Sequence, residues 1–277
     1  MCDPRYAPLV RAADSDSPHE SVLQRANLLL DAFGPQHRYL TLSSIVMRTG
    51  LPKSTVHRTA QQMTGLGWLT YANGKYSLGT RMFELAGLSS VRHELREAAL
   101  PYMEDLYEAT HITLHLGVRK GHEVLYVEKI GGHNRITDLS HVGGRMPLYC
   151  TAIGKTLLAH APESVFDDVV AHGFVKRTQA TITSPTHLRR ELSTIADSHV
   201  AFDREESSIG VCCVAAPIYG PDGSVIAALS VTGRVSRNRF DRLAPAVVTA
   251  ALGVSRTLAG QRRVPQQVLR RVTATAT

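Results

Sequence analysis

The chain has 277 residues, 43% hydrophobic and 20% charged, with 31 Lys and Arg against 24 Asp and Glu and a formal net charge of +7. That length favours two domains over one. No apolar run reaches the ~18 residues a bilayer-spanning helix needs, and residues 1–18 lack the apolar stretch of a secretory signal.

Residues 1–20 mix Pro, Asp, Ser and Ala without periodicity and read as a flexible arm. Ser21 then caps a helix whose buried face is Val22, Leu23, Ala26, Leu29, Leu30 and Phe33, stopped by Gly34-Pro35. A second helix opens at Leu40-Thr41-Leu42-Ser43, holds Ile45, Val46 and Met47, and ends at Gly50. Pro52 announces a third, from Lys53-Ser54 to Gly65. Its stripe of Val56, Ala60 and Met63 turns Thr55, His57, Arg58 and Gln62 outward or to the flanks. Leu66-Gly67-Trp68-Leu69 returns into a strand, and Asn73-Gly74 is a type I′ hairpin signal. This is a winged helix-turn-helix pattern, in which the third helix enters a DNA major groove and the hairpin flanks it.

Charge supports that reading. The 52 residues from 32 to 83 contain no carboxylate but carry Arg38, Arg48, Lys53, Arg58, Lys75 and Arg81. A surface facing a polyanion excludes acids, because each would repel phosphate, and gains from each cation that displaces a counterion. The candidate DNA contacts are therefore Arg48, Lys53, Ser54, Thr55, His57 and Arg58, with Lys75 at the hairpin tip and Arg81 reaching the backbone. The competing reading is an ordinary solvated helix face.

From Thr80 to about Ala109 the pattern is helical, with breaks expected at Gly87–Ser90 and at Pro101. A domain boundary falls near residues 80–95. The period then changes. Ile112–Val118 and Glu123–Ile130 read as strands joined by Lys120-Gly121-His122. A helix follows from Gly154 to His160 and another from about Thr186 to His199. Val211–Ile218 and Ser224–Val231 are strands around Gly220-Pro221-Asp222-Gly223, and a last helix runs from about Arg239 to Gln261. Strands with segregated helices make this second domain an α+β ligand-binding domain. The basic tail holds Arg262, Arg263, Arg270 and Arg271.

Catalytic and metal-binding constellations are not evident. Ile153-Gly154-Lys155-Thr156 resembles the end of a P-loop, but Tyr149 stands where its first Gly belongs. The four cysteines, Cys2, Cys150, Cys212 and Cys213, form no CxxC pair and point to reduced thiols in a cytosolic protein. Cys212 and Cys213 are neighbours on a strand, so they face opposite ways, one to the core and one to a pocket. His111 and His115 fall on one strand face without a third ligand, and Asp203, Glu205 and Glu206 read as a solvated acidic cluster. No GxSxG elbow is present. We expect no enzyme activity and no cofactor. In the 146–155 segment a turn leads into a helix and offers backbone N–H groups to an anion; the competing reading is a loop in which Thr151 merely caps that helix.

Several segments, in register, resemble the IclR-type transcriptional regulators. They are Ser21–Ala26, the 42–50 helix, Lys53–Arg58, Tyr76–Arg81, Met146–Lys155, Asp203–Glu206 with Gly210, Cys213–Pro217 and Ala228–Gly233. The resemblance spans roughly Ser21 to Gly260. It implies residues 21–80 as the winged helix-turn-helix, 81–95 as a linker helix, 96–261 as a GAF-like effector domain and 262–277 as a tail. It further implies a DNA-binding homodimer, often a dimer of dimers, governed by a small organic or aromatic acid. Carried over, the amides of Ala152 and Ile153 would face the ligand carboxylate, with Asp203, Cys213, Ser230 and Thr232 lining the same pocket. A border of Met146 and Leu148 beside Ser230 and Thr232 would suit a carboxylate with an apolar or aromatic body. Tyr149 and Thr232 depart from the family pattern, where His and Ser are frequent. The expected function is an operator-binding regulator modulated by such an acid; the alternative is a ligand sensor acting through protein contacts alone.

Overall fold

The computed structural model describes residues 21–88, 93–131, 141–234 and 240–261. The expected arm (1–20), the basic tail (262–277) and part of the expected linker helix fall outside them. The chain divides into two compact units between Val91 and Arg92.

The first unit is three helices, a hairpin and a further helix. Helix α1 (Val22–Asp31) begins with a capping box in which the Ser21 hydroxyl accepts from the Gln24 amide and the Gln24 side chain accepts from the Ser21 amide. Thr41 caps α2 (Leu42–Thr49), and Gly50 ends it in the left-handed conformation at φ +71°. The turn delivers α3 (Lys53–Gly65). Leu29, Ile45, Val56, Ala60 and Met63 form the buried centre with Leu69. Strands β1 (Leu69–Ala72) and β2 (Lys75–Leu78) pair Ala72 with Lys75 across Asn73 and Gly74, which both take positive φ as a type I′ turn requires. Helix α4 (Thr80–Gly87) buries none of its residues within the unit.

The second unit is built on a six-stranded antiparallel sheet of order β5-β4-β3-β8-β7-β6. Its strands are β3 (Thr113–Lys120), β4 (Glu123–Ile130), β5 (Arg145–Pro147), β6 (Ala201–Arg204), β7 (Val211–Tyr219) and β8 (Val225–Arg234). Helices α5 (His93–Thr110) and α9 (Phe240–Gln261) cover one face, around Met103, Leu114, Leu229, Val247 and Val254. Helices α6 (Ala152–Ala159), α7 (Glu163–His172) and α8 (Pro185–Ser198) cover the other, around Leu148, Ile153, Phe166, Leu188 and Ala215. By length and composition α9 is apolar enough to cross a membrane, but its Val247, Ala251 and Val254 are buried in this core.

Several expectations need correcting. Pro101 does not break α5, which is continuous through it. Burial of Leu95, Ala98, Ala99 and Met103 outweighs the ~3 kcal/mol an internal proline costs. His111 is not on a strand with His115; it sits at φ +52° with its amide on the Tyr107 carbonyl, extending the last turn of α5. Asp203 and Glu206 are not solvated but buried, at 0% and 6% exposure.

Candidate functional site

Two features carry chemistry, one in each unit. In the first unit, Lys53, Ser54, His57 and Arg58 are exposed along one side of α3, with Thr55 half-buried beside Val56 in the core. Lys75 is exposed at the hairpin. None of Lys53, Arg58 or Lys75 has a carboxylate partner among the described residues, so their charges are uncompensated. Arg48 and Arg81 differ from this expectation. Arg48 is half-buried and its Nε donates to the Ala32 carbonyl at 2.7 Å, tying α2 to the end of α1. Arg81 is exposed but pairs with Glu84 at 2.9 Å, the first acid after the carboxylate-free run.

In the second unit a pocket opens between the N-terminus of α6 and the sheet. It is lined by Met146, Ala152, Ile153, Asp203, Cys213, Ser230 and Thr232, together with His115, Tyr126, Thr151, Ser207, Ser208 and Val211. Leu148 does not line it. That side chain is fully buried in the α6–α8 core, because the chain turns between Met146 and Thr151 and sends alternate residues apart. His115, Tyr126, Ser207, Ser208 and Val211 were not expected in the pocket from the sequence. Alternation along 112–118 gives His115 a strand face but not its cross-strand neighbour, which the register, His115 beside Ser230, supplies.

The local geometry at α6 follows from two residues. The Thr151 hydroxyl accepts from the Gly154 amide at 3.0 Å and donates to the Pro147 carbonyl at 3.0 Å, so it caps the helix and closes the turn at once. Gly154 lets the turn lie against the helix: a Cβ there would stand 2.3 Å from the Leu148 carbonyl oxygen. Thr151 thus serves the third amide of the helix, while the first two, Ala152 and Ile153, have no intrahelical acceptor by helix geometry. Both belong to residues of the pocket wall.

Opposite the helix runs a chain of polar side chains. His115 Nδ1 and the Thr232 hydroxyl are 3.2 Å apart; Thr232 donates to Cys213 Sγ at 3.3 Å, and Cys213 reaches Asp203 at 3.9 Å. Asp203 also accepts from the Ser207 hydroxyl at 2.5 Å and from the amides of Glu206 and Ser207. Burial sets the protonation of this chain. It lowers His115 to about 3, helped by the Lys129 charge, leaving a neutral imidazole at pH 7. Burial, then Asp203, pushes the Cys213 thiol well up, so it stays a thiol. Burial also raises Asp203, against the donors from Ser207 and Glu206. Cys212, on the opposite strand face, packs against the α5/α9 core.

Loop 205–210 is clasped from outside. Thr178 and Thr181 donate to the carbonyls of Glu205 and Glu206, and Arg177 Nε to that of Ser207. From inside, Lys155 is fully buried and its Nζ lies 2.6 Å from Glu206 and 2.9 Å from Glu191. Lys155 follows the pocket amides on α6, so one short helix holds both the anion-facing end and the cation that anchors the loop.

Comparisons with known proteins match both units of the chain. The family description "IclR helix-turn-helix domain" matches residues 22–72, and "Bacterial transcriptional regulator IclR C-terminal" matches 88–256. The HTH-type transcriptional regulator XynR of Escherichia coli K12 is 33% identical over 242 residues, covering 85% of this chain and 96% of its own. A crystal structure of an IclR homolog from Microbacterium hydrocarbonoxydans, complexed with 4-hydroxybenzoate, has a TM-score of 0.80 at 32% identity, over 87% of this chain and all of the other. The Thermotoga maritima IclR structure has a TM-score of 0.69 at 26% identity, covering 86% and 97%.

Proposed function

Because the chain belongs to the IclR family of bacterial transcriptional regulators, it is a DNA-binding regulator, and we propose that its pocket binds a small organic acid whose carboxylate is held by the amides of Ala152 and Ile153. The observation that carries this reading is the pocket itself. Two helix-start amides without intrahelical acceptors face a polar wall of Ser230, Thr232 and neutral His115, beside apolar Met146 and Val211. Backbone donors at a helix start suit an anion, and the apolar side suits an aliphatic or aromatic body. The acid bound by the Microbacterium homolog, 4-hydroxybenzoate, has this form.

On the DNA side, Lys53, Ser54, Thr55, His57 and Arg58 contact the operator and Lys75 contacts the adjacent backbone. Arg48 positions α2, and Arg81 reaches phosphate only on leaving Glu84. The protein acts in the cytoplasm as a homodimer that pairs further into a tetramer. Self-association is supported by Phe83 on α4 and Leu88 at its C-cap, 84% and 79% exposed, and by exposed Val22 and Leu23 on α1. The acid regulates by linkage: it binds one arrangement of the assembly better than another, and only that difference shifts operator affinity. A gel-shift titration on DNA flanking the gene, with and without aliphatic and aromatic acids, tests this. Specific binding that one acid shifts is expected; specific binding indifferent to every acid removes the pocket assignment.

A further inference from the structure

The floor of the pocket is short of positive charge. Asp203 and Glu206 are buried within three residues of each other; Asp203 lines the cavity, and Glu206 lies behind that wall, next in the chain to Ser207, which lines it. Lys155 answers Glu206 but is shared with Glu191 on α8, whose side chain is 37% exposed. Arg177, half-buried, spends its Nε on the Ser207 carbonyl rather than on either acid. The thiols Cys150 and Cys213 are neutral, since burial raises Cys150 to about 12 and Cys213 well above its usual value, and His115 is neutral too. Around Glu206, three carboxylates (Asp203, Glu206 and the partly exposed Glu191) therefore meet two cations, Lys155 and Arg177, while the Lys129 charge acts on His115 across the pocket.

The two buried acids are not equally satisfied. Asp203 accepts from two amides, a hydroxyl and a thiol, which fills its acceptor positions. Glu206 uses one oxygen on Lys155 and its carboxyl also draws on the Arg204 amide, but its Oε2 is buried without a partner in hydrogen-bond geometry. An organic anion at the α6 amides adds another negative charge in a region of low dielectric, where uncompensated charge is costly. A proton is the available remedy, and the unpartnered Glu206 oxygen is the place to put it. Lys155 then retains Glu191, so neutralising Glu206 strands no cation.

We propose that the pocket takes up one proton from solvent with each organic anion it binds, and that this proton resides on the Glu206 carboxyl. The inference rests on the acid-binding reading above. Burial has already raised Glu206 to about 7, against the attraction of Lys155. The empty pocket thus holds an ionised carboxyl above that pH, and a nearby negative charge raises its pKa further. Affinity then falls as pH rises above about 7, by up to tenfold per unit, and levels off below, where the proton is in place before the ligand.

The test is isothermal titration calorimetry of the full chain with 4-hydroxybenzoate, benzoate and propionate at about pH 8, in phosphate and in Tris. The expected apparent enthalpies differ between buffers by an uptake approaching one proton per anion, and Glu206→Gln abolishes the difference while retaining a cooperative melt. Binding with equal enthalpies in both buffers overturns the proposal while leaving the acid site standing. Uptake that persists in a folded Glu206→Gln overturns the assignment to Glu206. Should that variant not fold, infrared difference spectra of the wild type decide: a protonated-carboxyl band unmoved by isotopic labelling of the ligand is expected, and its absence overturns the proposal. No binding by any acid, in calorimetry or thermal shift, overturns the acid-site reading and this inference with it.

Discussion

Replacing Gly154 by alanine introduces a methyl group 2.3 Å from the Leu148 carbonyl oxygen, 2.5 Å from the Leu148 Cα and 2.5 Å from the Thr151 hydroxyl. Two of these neighbours are backbone, so no rotamer change relieves the clash; the turn must retreat from α6 by about 1 Å to restore ordinary contact. Overpacking of this kind costs about 1–3 kcal/mol, which in a domain of this size lowers the melting temperature by about 2–12 °C. The retreat also moves Thr151, and with it the cap on the Gly154 amide and the aim of the Ala152 and Ile153 amides. Gly154→Ala should therefore weaken acid binding more than its stability loss implies, by tenfold or more, while the first unit keeps its fold. Thermal unfolding and calorimetric titration of the acid measure the two effects separately. Wild-type acid affinity, with a melting temperature within about 1 °C of wild type, would refute the close approach as the determinant of the site.

Three further predictions follow from the same geometry. Arg58→Ala should abolish specific operator binding with fold and assembly intact, whereas Lys75→Ala should weaken all DNA binding and reduce the salt slope by about 1; anisotropy titrations over a salt series distinguish them. Lys155→Met strands buried Glu206 and should cost about 3–5 kcal/mol in denaturant unfolding, while Lys155→Met with Glu206→Gln should recover much of that loss. His115 is held down to about 3 in the folded state, so its contribution is present above its ordinary value of 6.5 and is lost as pH falls from there towards 3. The wild type should lose up to about 1.4 kcal/mol per pH unit across that window relative to His115→Gln in urea unfolding series.

Local chemistry was readable from the sequence wherever a few neighbouring residues decide the structure. Asn73-Gly74 fixed the hairpin, Ser21 and Thr41 the helix starts, and Gly50 a helix end, because each acts within four residues of itself. Seven of the eight expected pocket residues line the cavity, six of them placed by resemblance and Met146 by its position; Leu148 does not, because one turn of chain reverses a side chain's direction. What stayed hidden depends on distant partners. Lys155 and Glu206 are 51 positions apart, and a lysine on a helix reads as exposed until α8 and loop 205–210 close over it. Helix α7 was not read from the sequence, although Pro162, the acidic first turn and the spacing of Val165, Phe166 and Val169 are local helix signals. Packing against α9 likewise overrode the local signal of Pro101.

The central claim is that occupancy of the α6 pocket sets operator affinity. It is tested most directly by measuring operator affinity with and without the bound acid in wild type and in Gly154→Ala. The acid should change wild-type affinity by roughly 5- to 150-fold, the usual range for coupled sites, and should have little effect on the variant. An equal shift in both proteins, or none in a wild type that demonstrably binds the acid, would contradict the account.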